Sequence, residues 1–338
     1  MKKLGIALGC MALVGGMLFA NGSSEKSSPD VKKINNTNSK YELVIGHIVD
    51  ESHTWNKASL YFKEQIEKQS NGRITVKVYP NSQLGSEVEM IQSALTGGGC
   101  DMGFTGESMQ TYNKDLGIIG MPYAITSDEQ MDRVLNGSVG DLLKKDMLDS
   151  GLHVLATIKR GARNITSNKL INSPDDLKGF IIRTPQSPMT VAAFKAMGAK
   201  PTPMAFNEVF TSLQSGVIDG QENPLAMIKS GGFAEVQKYC NVTEHLRAWV
   251  YFYISEVKFE SLPSDLQSLV LKVGADTQVY EHKLFINQQD KLKSDLEASG
   301  MIFNTVDQEP FAEKAVKGVL PILTDSQRAL YEKMVAEK

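Results

Sequence analysis

The hydrophobic period changes twice between Tyr41 and Tyr79, and no other feature constrains the fold as strongly. "YELVIGHI" is an apolar run of strand length. In "TWNKASLYFKEQIEKQS", Ala58, Tyr61, Phe62 and Ile66 fall on one face of a helix that ends at Asn71-Gly72. "RITVKVYP" then places Ile74, Val76 and Val78 in strict alternation with polar residues, as a half-buried strand does. Strand, helix, strand in this order is the start of a parallel sheet with helices packed on it.

The pattern recurs downstream. "SEVEMIQSALTGG" reads as helix, "CDMGFTG" as strand, and "GSVGDLLKKDMLDS" as a helix carrying Val139, Leu142, Leu143 and Met147 inward, followed by the strand "LHVLATIK". A second set begins near Asn164, with Ser173-Pro174 as a helix start, "GFIIRTP" as a buried strand and "PMTVAAFKAMG" as a helix stopped by Gly198. A chain of 338 residues with 41% hydrophobic residues can bury two such lobes. From Pro263 to Ser299 there is no proline and a single glycine, Gly274, so one helix of about 50 Å at about 1.5 Å per residue could connect the lobes. Two ordinary helices broken near Gly274 are the competing reading.

The N-terminus carries its own signal. Lys2 and Lys3 precede an acid-free apolar run from Leu4 to Ala20, the form of a secretory leader cleaved near residue 22, and residues 23–40 are too polar to pack and read as a flexible linker. An uncleaved membrane anchor and a lipid anchor on Cys10 are the competing readings. Loss of residues 1–22 leaves 34 Lys and Arg against 39 Asp and Glu, a net charge of −5 that argues against a nucleic-acid partner. Cys100 and Cys240 are too few and too far apart for a disulfide framework and read as buried thiols.

Enzyme signatures are missing. Read from Gly97, "GGGCDMG" has Met102 where a dinucleotide loop needs its last glycine. The histidines at 47, 53, 153, 245 and 282 have no H-E-x-x-H spacing, and no nucleophile elbow is present. No cofactor and no metal are expected, and no catalysis. Two arginines say more. Arg183 ends the buried "FIIRTP" strand, and Arg163 lies in "RGARNITS" at the start of what reads as the neighbouring strand. A buried guanidinium needs a partner, and its planar fork suits a carboxylate. That carboxylate could be a ligand, or an internal acid such as Asp175, Asp176 or Glu208. In "PTPMAFNEVFTSLQSGVIDGQENPL", Asn207 can cap a short helix whose apolar face is Val209, Phe210 and Leu213. Asp219-Gly220 turns the chain, and Asn223 before Pro224 is held extended with its amide free at a loop edge. Phe206 reads equally as core.

"GAKPTPMAFNEVFTSLQSGVIDGQENPL", with "KGFIIRTPQSP" before it and "EVQKYCNVTEH" after it, resembles the solute receptors of tripartite ATP-independent periplasmic (TRAP) transporters, DctP type, and the similarity runs from about Tyr41 to the C-terminus. The resemblance implies an α/β, two-lobed periplasmic binding protein of Venus-flytrap form, with hinge strands and a long interlobe helix. Lobe I would comprise 41–160 plus about 250–290, and lobe II 161–249 plus about 300–320. The interlobe helix would span about 263–299, with a C-terminal helix to 338. It further implies a periplasmic monomer that binds a small organic acid, a sugar acid or a C4-dicarboxylate, and delivers it to the small and large membrane permease subunits. A sensor module coupled to a signalling partner is the alternative. Arg183 would make the main salt bridge to the substrate carboxylate, Arg163 would assist, Asn223 would complete the polar clamp and Phe206 would supply apolar wall. Glu107, in a segment richer in glycine than the family pattern, is a weaker transfer.

Overall fold

The computed structural model describes residues 41–338; the expected leader and linker lie outside the described residues. The first strand–helix–strand unit is as expected. β1 (Tyr41–Gly46) lies parallel to β2 (Ile74–Tyr79), and α1 (Thr54–Gln69) buries Ala58, Phe62 and Ile66 between them. Tyr61, expected inward, is half-buried and stacks on Tyr280 with ring centroids 4.2 Å apart. Ser86 and Glu89 form a reciprocal cap on α2 (Glu87–Thr96), Gly97 ends it in the left-handed conformation, and β3 (Met102–Thr105) pairs with β1.

α3 (Asp128–Asn136) and α4 (Ser138–Asp149) follow. α4 is rotated so that Val139, Leu143 and Met147, four residues apart, face the core, which leaves Leu142 exposed, contrary to expectation. β4 (Leu152–Ser167) does not stop at Lys159. It continues as a single strand through Arg163, where the sequence suggested that a new one starts. Its partner throughout is the antiparallel β8 (Tyr239–Ser255), with register shifts between Val154 and Ala156, Lys159 and Ala162, and Arg163 and Ile165. The middle shift contains Gly161 at φ +78°, a conformation that favours glycine.

The second half contributes β5 (Ile181–Thr184), α5 (Pro188–Ala196), β6 (Lys200–Pro203), α6 (Val209–Gln214), β7 (Gly220–Pro224) and α7 (Leu225–Ser230). β7 runs between β4 and β5, so Arg163 and Arg183 are on strands separated by a third. Asn207 does not cap a helix; Glu208 does the local work by accepting the Ala205 N–H at 2.9 Å. After α8 (Glu256–Glu260) come α9 (Ser264–Ala298), β9 (Ile302–Thr305), α10 (Glu309–Val319) and α11 (Asp325–Ala336).

All strands join one sheet, in the order β2-β1-β3-β8-β4-β7-β5-β6, with β9 on β8. The β1 to β3 end and the β7 to β5 to β6 end form the two lobes, and the long β4 and β8 cross from one to the other. α9 crosses with them: Leu266, Val270 and Val273 pack with Leu43 and Phe62 at one end, and Leu296 packs with Val209 and Leu213 at the other. Its 35 residues span about 52 Å at about 1.5 Å each. Gly274 does not break it. A Cβ there would come within 2.8 Å of Leu155 Cβ and 2.9 Å of Leu155 O, so glycine allows the helix to approach β4.

Candidate functional site

The cleft between the lobes lies at the carboxyl ends of the parallel strands, where an open α/β sheet places its ligand crevice. Ile48 follows β1, Glu107 and Ser108 follow β3, Pro185 and Gln186 follow β5, and Met204 to Phe206 follow β6. Arg160 and Arg163 reach in from the hinge strand β4, and Asn223 from the end of β7. The free volume between these walls is about 40 Å³, room for only a few waters, so a larger occupant requires the walls to part.

Arg183 is 4% exposed, and its Nε and Nη2 both donate to the Met204 carbonyl, at 3.0 and 2.7 Å. None of the acids suggested as its neutraliser plays that part. Asp175 pairs with Lys314 at 2.8 Å, Asp176 caps the turn at Ser173, and Glu208 holds the Ala205 N–H. Burial lowers the guanidinium pKa to about 10, partly offset by the charge of Glu222, and it remains a cation at neutral pH. A buried cation held by one carbonyl has most of its donors available to an anion.

Arg163 is placed differently. Its Nε and Nη2 grip the Glu222 carboxylate at 2.5 and 2.7 Å, and Nη2 also donates to the Glu222 carbonyl. Nη1 is 3.5 Å from Glu107 Oε1, and Glu107 in turn is ion-paired with Arg160. His245 completes the group: its Nε2 meets Glu222 Oε2 at 2.9 Å while Thr243 Oγ1 holds Nδ1 at 2.8 Å, so the proton sits on Nε2. Burial alone would raise the Glu222 carboxyl, but the Arg163 charge and the His245 hydrogen bond outweigh it and bring the pKa to about 2. Glu107 is likewise lowered against burial by Arg160 and Arg163. Glu87, at the start of α2, is raised by burial and by the negative charge of Glu107; it accepts from Thr105 Oγ1 at 2.8 Å.

Asn223 is buried within β7, not free at a loop edge, and its Nδ2 donates to Gln221 Oε1 at 2.6 Å. Phe206 touches the cores of both lobes and tilts against Phe233, 5.6 Å away. Trp55, which sequence reasoning did not identify, also lines the cleft; behind it Phe104 stacks on Trp55 at 5.1 Å and on Phe252 at 4.8 Å. Arg183, Arg163, Asn223, Phe206 and Glu107 all line the one cleft. Arg160, Glu87 and the Glu222 counter-ion were also missed. Glu222 was legible in principle: once "GQENP" is read as a strand, alternation separates Glu222 from Gln221 and Asn223. Cys100 and Cys240 are free, buried thiols. No group of His, Cys, Asp and Glu among the described residues could hold a metal ion.

The family model for bacterial extracellular solute-binding proteins, family 7 (DctP), matches residues 45–322. A solute-binding protein of Roseobacter denitrificans is 41% identical over 296 residues, covering 87% of this chain and 91% of that protein. The crystal structure of a TRAP periplasmic solute-binding protein from Roseobacter denitrificans with bound L-galactonate superposes with a TM-score of 0.86 at 40% identity, over 88% of this chain and 99% of the other. One from Xanthobacter autotrophicus with bound β-D-galacturonate gives 0.83 at 29% identity, over 88% and 100%.

Proposed function

Since the chain belongs to the bacterial extracellular solute-binding proteins, family 7, we propose that it is the extracytoplasmic receptor of a TRAP transporter and takes a sugar monoacid of the aldonate or uronate kind. The family is one of periplasmic solute receptors, and this chain, exported and monomeric, would pass its ligand to the membrane permease without altering it. Lobe I, residues 41–160 plus about 250–290, and lobe II, 161–249 plus about 300–320, would part and close about β4, β8 and α9.

The observation that carries the reading is the buried, carboxylate-free guanidinium of Arg183. Arg160 and Arg163 are paired with Glu107 and Glu222, which leaves Arg183 as the cleft guanidinium with no carboxylate partner among the described residues, placed to meet one ligand carboxylate. A second carboxylate, as in a C4-dicarboxylate, would meet Glu107 and Glu87 instead of another cation. Hydroxyls suit those same acceptors. In this assignment Arg183 forms the salt bridge, Nη1 of Arg163 assists, Asn223 orients the ligand, Phe206 excludes water and Glu107 accepts from a hydroxyl. Calorimetry with L-galactonate, D-galacturonate and succinate tests the class. The hexose acids should saturate the protein at concentrations where succinate does not, and succinate binding as tightly as either would overturn the monoacid assignment.

A further inference from the structure

A second groove lies outside the cleft, where the start of α1, α7 and the C-terminal half of α9 meet. It holds about 260 Å³ and is lined by Ser52, His53 and Lys57 from one lobe, Lys229 from the other, and Lys291 and Asp295 from α9. Three lysines face one acid. Asp295 is shared by Lys229 at 2.5 Å and Lys291 at 2.6 Å, while Lys57 is not ion-paired to any described acid. The first turn of α1, a helix of 16 residues, carries no acidic side chain. Asp50, just before it, is committed to the turn, accepting from the Ser52 N–H and hydroxyl and the His53 N–H.

The second observation is His53. Its Nδ1 accepts the Trp55 N–H at 3.1 Å, which places the ring proton on Nε2, and Nε2 is buried without a hydrogen-bond partner among the described residues. The residue is 6% exposed. A buried donor left without an acceptor costs free energy that an oxyanion would recover. Burial and the nearby charges of His47 and Lys57 bring the His53 pKa to about 3, so at neutral pH the ring is a neutral donor. Close by, the Asp50 N–H donates to Ser230 Oγ at 2.9 Å, tying the β1–α1 loop to the end of α7 across the two lobes.

We propose that this groove is a second anion site, which takes a small oxyanion dianion such as phosphate or sulfate on Lys57, Lys229, Lys291 and His53 Nε2–H. The three lysines outnumber Asp295 on the lining, a positive excess that the adjacent Asp50 carboxylate reduces without cancelling. Because the walls come from both lobes, occupancy favours the closed arrangement, and linkage requires that the same anion raise the affinity of the interlobe cleft.

The test uses the full chain, with sulfate replacing chloride at constant ionic strength. Melting temperature should rise by a few degrees with sulfate in the wild type, and the dissociation constant for L-galactonate should fall several-fold. Lys57→Gln should abolish both effects while keeping the affinity measured in chloride. If Lys57→Gln responds to sulfate as the wild type does, the ion is adventitious only and the site is rejected. Loss of L-galactonate binding in chloride by the wild type would instead count against the receptor reading. Should L-galactonate not bind, the melting comparison of wild type with Lys57→Gln still decides the anion site alone.

Discussion

The hinge wall and the lobe II wall of the cleft each bury arginine, and they treat it in opposite ways. On β4, Arg163 is gripped by Glu222, which is itself fixed by His245, and Arg160 is paired with Glu107. On β5, Arg183 has only the Met204 carbonyl among the described residues. A guanidinium with its counter-ion built in contributes to the integrity of the hinge. One without a counter-ion is costly until an anion arrives, and that cost is part of what makes anion binding favourable. The sequence reading weighed ion pair against ligand for both arginines together. The structure separates them: the ion-pair geometry holds for Arg163 and fails for Arg183.

The largest effect should come from breaking the hinge pair. Glu222→Ala leaves the buried Arg163 without its partner, for which about 3–5 kcal/mol of stability is the expected cost. Denaturant titration reads it directly. The matching change on the other wall, Arg183→Met, should leave the ligand-free melting temperature unchanged or higher, because it removes a buried charge that no acid neutralises. If both variants lose equal stability, the contrast between the walls is wrong.

Next in size is Arg183→Lys. The charge stays but the planar fork is lost, and one or two charged hydrogen bonds correspond to roughly 2–4 kcal/mol, or on the order of thirtyfold to a thousandfold in dissociation constant. The ligand-free fold should be unaffected. Arg163→Lys should reverse the emphasis, with a smaller loss of affinity and a clear loss of stability. Calorimetry paired with thermal melts separates the two outcomes, and a larger binding defect in Arg163→Lys would exchange the roles of the two walls.

Much of this was legible in the sequence because it rests on local pattern. Periodicity located β1, α1 and β2, and the long proline-free run became α9. The misreadings have a common physical origin in pairing across the sheet. β4 runs on through Arg163 because β8 pairs with it along its whole length, and no local signal marks a strand that crosses between lobes. Asn223 is buried because β7 is covered on both edges, by β4 and β5, although "DGQENP" has the composition of a turn. Arg160 lies beside a bulge whose glycine was visible but whose register was not.

pH sharpens the contrast from a different side. Glu222 has a folded pKa of about 2 against an ordinary 4.5, so its contribution to stability is complete above about 4.5 and is lost as pH falls toward 2. Glu281, buried on α9, shows the opposite sign. Burial raises it to about 8, so its contribution is complete below 4.5 and is lost as pH rises through 8. These two groups therefore place a stability maximum near pH 4.5, with a decline toward pH 2 from Glu222 and a decline between about 4.5 and 8 from Glu281 that levels off above 8. Glu222→Gln should flatten the acid decline and Glu281→Gln the one between about 4.5 and 8. A decline between about 4.5 and 8 that persists in Glu281→Gln would assign it to another group.

The smallest effect belongs to the apolar part of the lobe II wall. Phe206 is half-buried and touches the cores of both lobes, so Phe206→Ala removes part of a wall and does not open a sealed core. Half of an aromatic side chain's transfer free energy is about 1 kcal/mol, or roughly fivefold in affinity. In the proposed assignment the ring also excludes water from the Arg183 guanidinium, so part of its effect should be electrostatic. In that case Phe206→Ala should make the affinity for L-galactonate more sensitive to salt, since a wetter ion pair is better screened. Isothermal titration at low and high ionic strength checks this. A fivefold loss that is the same at both salt concentrations would leave Phe206 a purely apolar contact, and a loss as large as that of Arg183→Lys would mean that the charged fork is not what distinguishes this wall.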